Sequence, residues 1–295
     1  MAAVLCLYSY LWAQDLPAPS ASFQDIVMRL PQSDERVLIL QNAALRDEEL
    51  AQSRIGGIYY TQTGAQAFFF VSPDDEIILV YRGTGRGEWA DNGQGLSGQK
   101  SNNTYDCFGV RHSISYASAQ QVQALELFCH WAQAYHWKNI TVAGHSKGGN
   151  KAQFVTLCSD IVENCYSFDG QGFSPEAIAE FEHFERRRAR IWSISAQNDY
   201  VNVLGVSAVP EQQRLFCKSS KSGLSEHRPE AILKEDGQLN EFCQQGEFSQ
   251  KLQAVSEQVM ALPPRLRRYA TTGLMNLVQE YVGAEPVSAH LEEFI

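Results

Sequence analysis

Between residues 54 and 83 the chain runs in short apolar stretches divided by turn residues. "RIGGIYYT" and "QAFFFVS" flank Gly64 and predict a pair of strands, and "EIILVYRG" predicts a third. The third is β-branched and almost uniformly apolar, as a sheet covered on both faces requires. The period then changes. Residues 116 to 135, "YASAQQVQALELFCHWAQAY", keep apolar side chains at helical spacing. "NITVAG" follows as a short buried strand that runs directly into glycines. Beyond it, "NKAQFVTLCSDIV" reads as a helix, "CYSFDG" as a strand, "PEAIAEFEHFERRR" as a polar-faced helix and "ARIWSISA" as another strand. Strand alternating with helix over this length predicts an α/β architecture, a mostly parallel sheet flanked by helices. Ligand sites in such sheets lie at the carboxyl ends of the strands.

Composition narrows the function classes. The 295 residues are 44% hydrophobic and 20% charged, which supplies a core and excludes disorder. The formal net charge is −10 and the basic residues form no long stripe, so nucleic acid is not an expected partner. The seven cysteines are scattered, with no C-x-x-C pair, and are expected to be mostly small core residues in a reducing compartment. The start, "MAAVLCLYSYLWAQDLPAP", is apolar for about a dozen residues, but no Lys or Arg precedes that run. A cytoplasmic location is therefore expected over export. No later stretch reaches the roughly 18 apolar residues that span a bilayer. No metal or cofactor is implied.

Candidate chemistry enters at "AGHSKGGNK", residues 143 to 151, which holds the frame Gly144-His145-Ser146-Lys147-Gly148. This G-x-S-x-G occupies the turn between an apolar strand and a helix. A nucleophile elbow places a serine there on a strained backbone with its hydroxyl exposed. A side chain at either glycine would collide with the neighbouring strand or helix in so sharp a turn. The alternative is a strand-to-helix turn with Ser146 as a helix cap.

A serine hydroxyl needs a base to take its proton, and the base needs an acid to hold its tautomer. Hydrolases of this architecture supply them in the order Ser, Asp, His. Three histidines follow Ser146. His183 lies in the polar helix and is expected on a solvated face; His290 lies five residues from the C-terminus. His227, in "SGLSEHRPE", follows the strand "RLFCKSS" and is the expected base. For the acid, Asp199 in "SISAQNDYVNVLG" ends the last strand before that histidine and is preferred over Asp169 in "SFDGQG". Asp169 is expected to cap the loop "DGQGFSPE" through backbone N–H groups, and His145 to pack into the sheet with its ring away from the serine.

"VYRGTGRGEW", "VAGHSKGGN", "YSFDGQGFS", "NDYV" and "SEHRP" together resemble the bacterial lipase-like hydrolases that stand close to the class 3 (fungal-type) lipases. The resemblance runs from about residue 35 to about residue 230. It implies an α/β-hydrolase fold with Ser146, Asp199 and His227 as a triad. It also implies an oxyanion hole made by Thr84, in "RGT", and the backbone N–H of Lys147. The residues beginning "GRGEWADN" match the place where those lipases start a lid. The residues alone agree on Thr84, which follows a buried strand and precedes Gly85 and Gly87, so its backbone can turn toward the serine. Lys147 departs from the small or aromatic residue common after a lipase serine.

The expected organisation is one domain, residues 1–295, with a catalytic core over about 35–230 and a C-terminal helical extension over about 245–295. In that extension "LPPRLRRYATTGLMNLVQEYVG" puts Leu266, Ala270, Leu274, Leu277 and Tyr281 on one face, with Arg265, Arg267 and Arg268 near its start. That face is expected to pack on its own domain; contact with a membrane surface is the alternative. The expected function is cleavage of a small acyl-ester or lipid substrate through an acyl-enzyme on Ser146. A thioesterase or acyltransferase with the same triad, or a binding protein that keeps the fold without turnover, are the other readings.

Overall fold

The computed structural model describes residues 1–11, 21–61, 64–84 and 89–284. The chain opens with helices α1 (Ala2–Leu11), α2 (Phe23–Val27), α3 (Glu35–Arg46) and α4 (Glu48–Gln52). Strands β1 (Arg54–Thr61), β2 (Gly64–Val71) and β3 (Ile77–Tyr81) come next, then α5 (Trp89–Ser97), the hairpin β4 (Asn103–Cys107) and β5 (Val110–Ile114), and α6 (Ala119–Ala134). The central run is β6 (Ile140–His145), α7 (Lys147–Cys158), β7 (Val162–Phe168), α8 (Pro175–Glu180), α9 (Phe184–Arg188), β8 (Ile191–Ala196) and β9 (Arg214–Cys217). The short β10 (Phe242–Cys243) and helices α10 (Glu247–Met260) and α11 (Pro264–Ala284) follow.

Eight strands form one sheet in the order β1-β2-β3-β6-β7-β8-β9-β10. The junctions from β3 through β6, β7 and β8 to β9 are parallel, and those at the two edges are antiparallel. Each face carries a core. The alternation along β2 shows how one strand serves both: Phe68 and Phe70 join Tyr8 and Phe23 beneath α1 and α2, and Phe69 points the other way into Trp131 and Trp137. Each such buried ring contributes roughly 1.5–3 kcal/mol. A mostly parallel sheet with helices on both faces is what the strand and helix pattern predicts, and it is the α/β-hydrolase fold that the family resemblance implies. Helix α1 belongs to the second core, with Val4 to Ser9 buried.

Several elements differ from the expectation. The helix expected over 150–162 begins at Lys147 and ends at Cys158, because Ser159 is extended and Val162 already starts β7. The helix expected over 175–188 is two, since His183 takes a left-handed backbone, φ 53°, and breaks it. Cys6, Cys165 and Cys217 are buried free thiols as expected, but Cys107 and Cys129 form a disulfide that joins β4 to α6. Their 22-residue separation hid the pairing, which packing of the hairpin on α6 brings about.

Helix α11 packs against α5 by a different face from the one expected. Arg267, Thr271 and Met275 turn inward, and Leu266 and Tyr269 are 54% and 66% exposed. The reason is Arg267, which is buried and donates to Ser97 O at 3.1 Å and Met260 O at 2.8 Å, and pairs with Glu176. The side chains of Leu274, Leu277 and Tyr281 lie outside the described residues.

Candidate active site

The parallel strands β3 and β6 to β9 deliver Gly83 and Thr84, Ser146, Asp169, Asp199 and His227 to one end of the sheet, their carboxyl end. Ser146 links β6 to α7 with φ 58° and ψ −126°, a backbone that a non-glycine residue rarely adopts. Gly144 and Gly148 permit that turn: a Cβ on Gly144 would meet the Gly148 backbone, and one on Gly148 would meet Tyr81 O. Ser146 occupies the helix N-cap position, but its side chain makes no capping hydrogen bond. Its Oγ lies instead 2.8 Å from His227 Nε2.

His227 ends the 3₁₀ turn Gly223–His227 after β9. Its Nδ1 lies 2.6 Å from Asp199 Oδ2. Asp199 has no exposed surface, and its other oxygen accepts from Val201 N at 2.9 Å and Asn202 N at 2.7 Å. Those two amides fix the carboxylate plane, which in turn aims the imidazole. Ser146 and His227 are themselves buried, at 9% and 8% exposure. His183 is exposed on its own turn, and His290 lies outside the described residues.

The rival acid has a different surrounding. Asp169 follows β7 with φ 49° and accepts from Ala196 N at 2.9 Å, so it ties β7 to β8 and does not cap its own loop. Burial, and then the negative charge of Asp199, hold its carboxyl well above the usual carboxylate range. Asp169 Oδ2 stands 3.6 Å from His145 Nε2. His145 is buried as expected, but its ring packs on that of His227, with centroids 4.9 Å apart. Burial and the neighbouring His227 push it well below the ordinary imidazole range. His145, Asp169 and His227 offer metal-ligating atoms within 4.8 Å of one another. Both His227 nitrogens are engaged by Asp199 and Ser146, and His145 Nδ1 by the Tyr10 hydroxyl, so the donor set suits a hydrogen-bonded cluster and not a cation.

Around the elbow lies a polar frame. Thr84 is buried and its Oγ1 accepts from Asn92 Nδ2 at 2.9 Å. A Cβ built on the preceding Gly83 would lie 3.3 Å from Ser146 Cβ, so this strand end runs beside the serine. The Lys147 N–H belongs to the first turn of α7, whose amides have no partner within the helix. The Lys147 ammonium is buried and pairs with Asp91 Oδ2 at 2.8 Å. Asp91 also accepts from Ser118 Oγ at 2.7 Å and Gln120 N at 3.0 Å. Burial would raise the Asp91 carboxyl, but the Lys147 charge and these donors outweigh it and bring it below the usual range. Helix α5, which begins within the stretch matched to a lipase lid, is thus fastened to the elbow by Asp91 and to Thr84 by Asn92. Residues 85–88 of that stretch lie outside the described residues.

Tyr10, Asp91 and Asn92 carry no motif of their own in the sequence, and nothing there marks Arg267 as buried. Lys147 directly after the elbow serine is the one sequence signal for a counter-charge nearby, and Asp91, in "GRGEWADN", supplies it.

Among solved structures the chain is similar to M37 lipase at 15% identity, with a TM-score of 0.38 and 68% of each chain covered. It is similar to Lip2 lipase from Yarrowia lipolytica at 12% identity, with a TM-score of 0.37 over 56% of this chain and 66% of that one. A triacylglycerol lipase from Penicillium expansum gives 12% identity and a TM-score of 0.36, over 74% and 96%. These are distant likenesses of shape. No curated protein matches in sequence. The model of the family described as Mbeg1-like matches residues 107–272, more than half of the chain and a span that includes Ser146, Asp169, Asp199 and His227, so the chain belongs to the Mbeg1-like family.

Proposed function

We propose that the protein is a serine hydrolase that cleaves carboxylic esters of acyl or lipid type through an acyl-enzyme on Ser146. The observation that carries the reading is the unbroken string Asp199–His227–Ser146, at 2.6 and 2.8 Å, ending on a hydroxyl that the helix does not use as a cap. With its Nδ1 proton held by Asp199, His227 presents a lone pair at Nε2 to the serine proton. Ser146 Oγ attacks the ester carbonyl carbon as that proton moves to Nε2. The resulting oxyanion falls to the Lys147 N–H and to Thr84, whose hydroxyl Asn92 orients. The first-turn amides of α7 add a positive dipole end. One such donor is worth about 3 kcal/mol of transition-state stabilisation. Collapse expels the alcohol, which takes the proton from His227, and water repeats the sequence on the acyl-enzyme.

Fluorophosphonate labelling tests this reading without knowledge of the substrate. The wild type is expected to take the label and Ser146→Ala to take none, with the fold retained. Label that persists in the variant would move the nucleophile elsewhere; no label in either protein would favour a binding protein of hydrolase fold.

A further inference from the structure

The Tyr10 hydroxyl lies 2.8 Å from His145 Nδ1, across 135 positions of sequence. Its ring stands edge-on to the imidazole, with centroids 5.4 Å apart. The same oxygen lies directly against Gly83. It also occupies the space that a side chain at 83 would need, since a Cβ there would collide with it. The Arg82 guanidinium lies over the Tyr10 ring, 5.8 Å from its centroid, and fixes the ring from the strand side.

Gly83 precedes Thr84, and His145 precedes Ser146. One phenol oxygen therefore joins the turn that carries one oxyanion donor to the elbow that carries the nucleophile. When the phenol gives its proton to this contact, His145 Nδ1 is the acceptor. His145 then keeps its proton on Nε2, toward Asp169 Oδ2 at 3.6 Å, a separation beyond hydrogen-bond range. The firm end of the string is thus at Tyr10. The His145 ring, held there, forms one wall against which His227 packs.

We infer that Tyr10 is a positioning residue for this site: its hydroxyl, packed on Gly83 and 2.8 Å from His145 Nδ1, sets the oxyanion-hole turn at Gly83–Thr84 against the elbow at His145–Ser146. The inference rests on the reading of Ser146 as nucleophile. Oxyanion donors must be held to within about 0.5 Å of their productive place, and two strand ends joined only by their own backbone ladder fray at that scale. Helix α1 is by this account part of the scaffold of the site as well as of the core.

Tyr10→Phe keeps the ring and its Arg82 contact and deletes only the oxygen. With active sites counted by fluorophosphonate titration, kcat per site on p-nitrophenyl butyrate is expected to fall about five- to tenfold with KM unchanged. Affinity for a trifluoromethyl ketone, which forms the oxyanion on the enzyme, falls by the same factor. His145→Asn, whose Oδ1 comes near the place of Nδ1 and accepts from Tyr10, retains more kcat than His145→Leu. Hydrogen exchange at the Gly83 amide is faster in Tyr10→Phe than in the wild type. Unchanged kcat per titrated site, or a loss confined to KM, overturns the inference. If the wild type takes no label at all, the ester-hydrolase reading has failed, and unchanged Gly83 exchange in Tyr10→Phe would then overturn the tie itself.

Discussion

Asp199 and Asp169 both follow strands and neither has exposed surface, but their partners divide them. Asp199 spends one oxygen on two backbone amides and the other on His227, and Asp169 spends one on Ala196 N. Asp199→Asn keeps an acceptor for the two amides but can turn its NH₂ toward Nδ1, which favours the wrong tautomer. It is expected to lower kcat by up to about four orders of magnitude in a folded protein. Asp169→Asn is expected to change kcat less than about tenfold; the opposite ranking in kinetics would exchange the two roles. Stability separates them further. The folded Asp169 carboxyl titrates above its unfolded value, so its contribution is fully present below about pH 4 and is lost as pH rises toward the folded value. Asparagine does not titrate, so the urea midpoint of Asp169→Asn should gain on that of the wild type from about pH 4 upward. The sequence made these residues legible, because strand ends and the order Ser, Asp, His are local and linear. Tyr10 was not legible: every neighbour in α1 is apolar or small, and its partners lie on β3 and β6.

Helix α5 is held from both sides, by Asp91 and Asn92 toward the elbow and by Arg267, Thr271 and Met275 of α11 from outside. Its inner fastening is a buried ion pair, which contributes little against an apolar substitute but leaves a large deficit when one partner is removed. Asp91→Asn strands the Lys147 ammonium and is expected to cost about 3 kcal/mol in urea unfolding at pH 7. The double variant Asp91→Leu with Lys147→Met should recover most of that. Because the folded Asp91 carboxyl titrates below its unfolded value, its contribution is present above about pH 4 and is lost as pH falls through the folded value. The gap between wild type and Asp91→Asn should therefore close in acid, and a gap independent of pH would mean that the charge is not what holds α5. At this scale periodicity located α6, β6, β7 and β8 well. It failed where the chain carries no punctuation: His183 breaks a helix with no glycine or proline to announce it, and Arg267 turns inward although an arginine reads the same whether buried or solvated. The apolar stripe of α11 was thus visible and its orientation was not.

Across the whole molecule the sheet divides two cores, and the hairpin β4–β5 stands outside that sheet. Its covalent attachment is the disulfide from Cys107 to Cys129 on α6, which closes a segment of 22 residues. Composition could not reveal it. Seven cysteines without a motif read as core residues, and only the packing of β4 on α6 selects this pair. Closing a loop of that length restricts the unfolded chain and is worth about 3 kcal/mol. For a chain of this size that corresponds to roughly 5 °C in Tm. Reduction with a membrane-permeant phosphine, or the pair Cys107→Ser and Cys129→Ser, is expected to lower Tm by that amount. The rate of fluorophosphonate labelling at 25 °C should stay the same, because neither cysteine lies in an element that contributes Ser146, His227 or Asp199. A Tm indifferent to reductant would show that the two thiols are not joined in solution. A loss of labelling on reduction would show that α6, which receives Asp91 through Ser118 at its N-cap and Gln120 in its first turn, transmits the strain of the freed hairpin to the elbow.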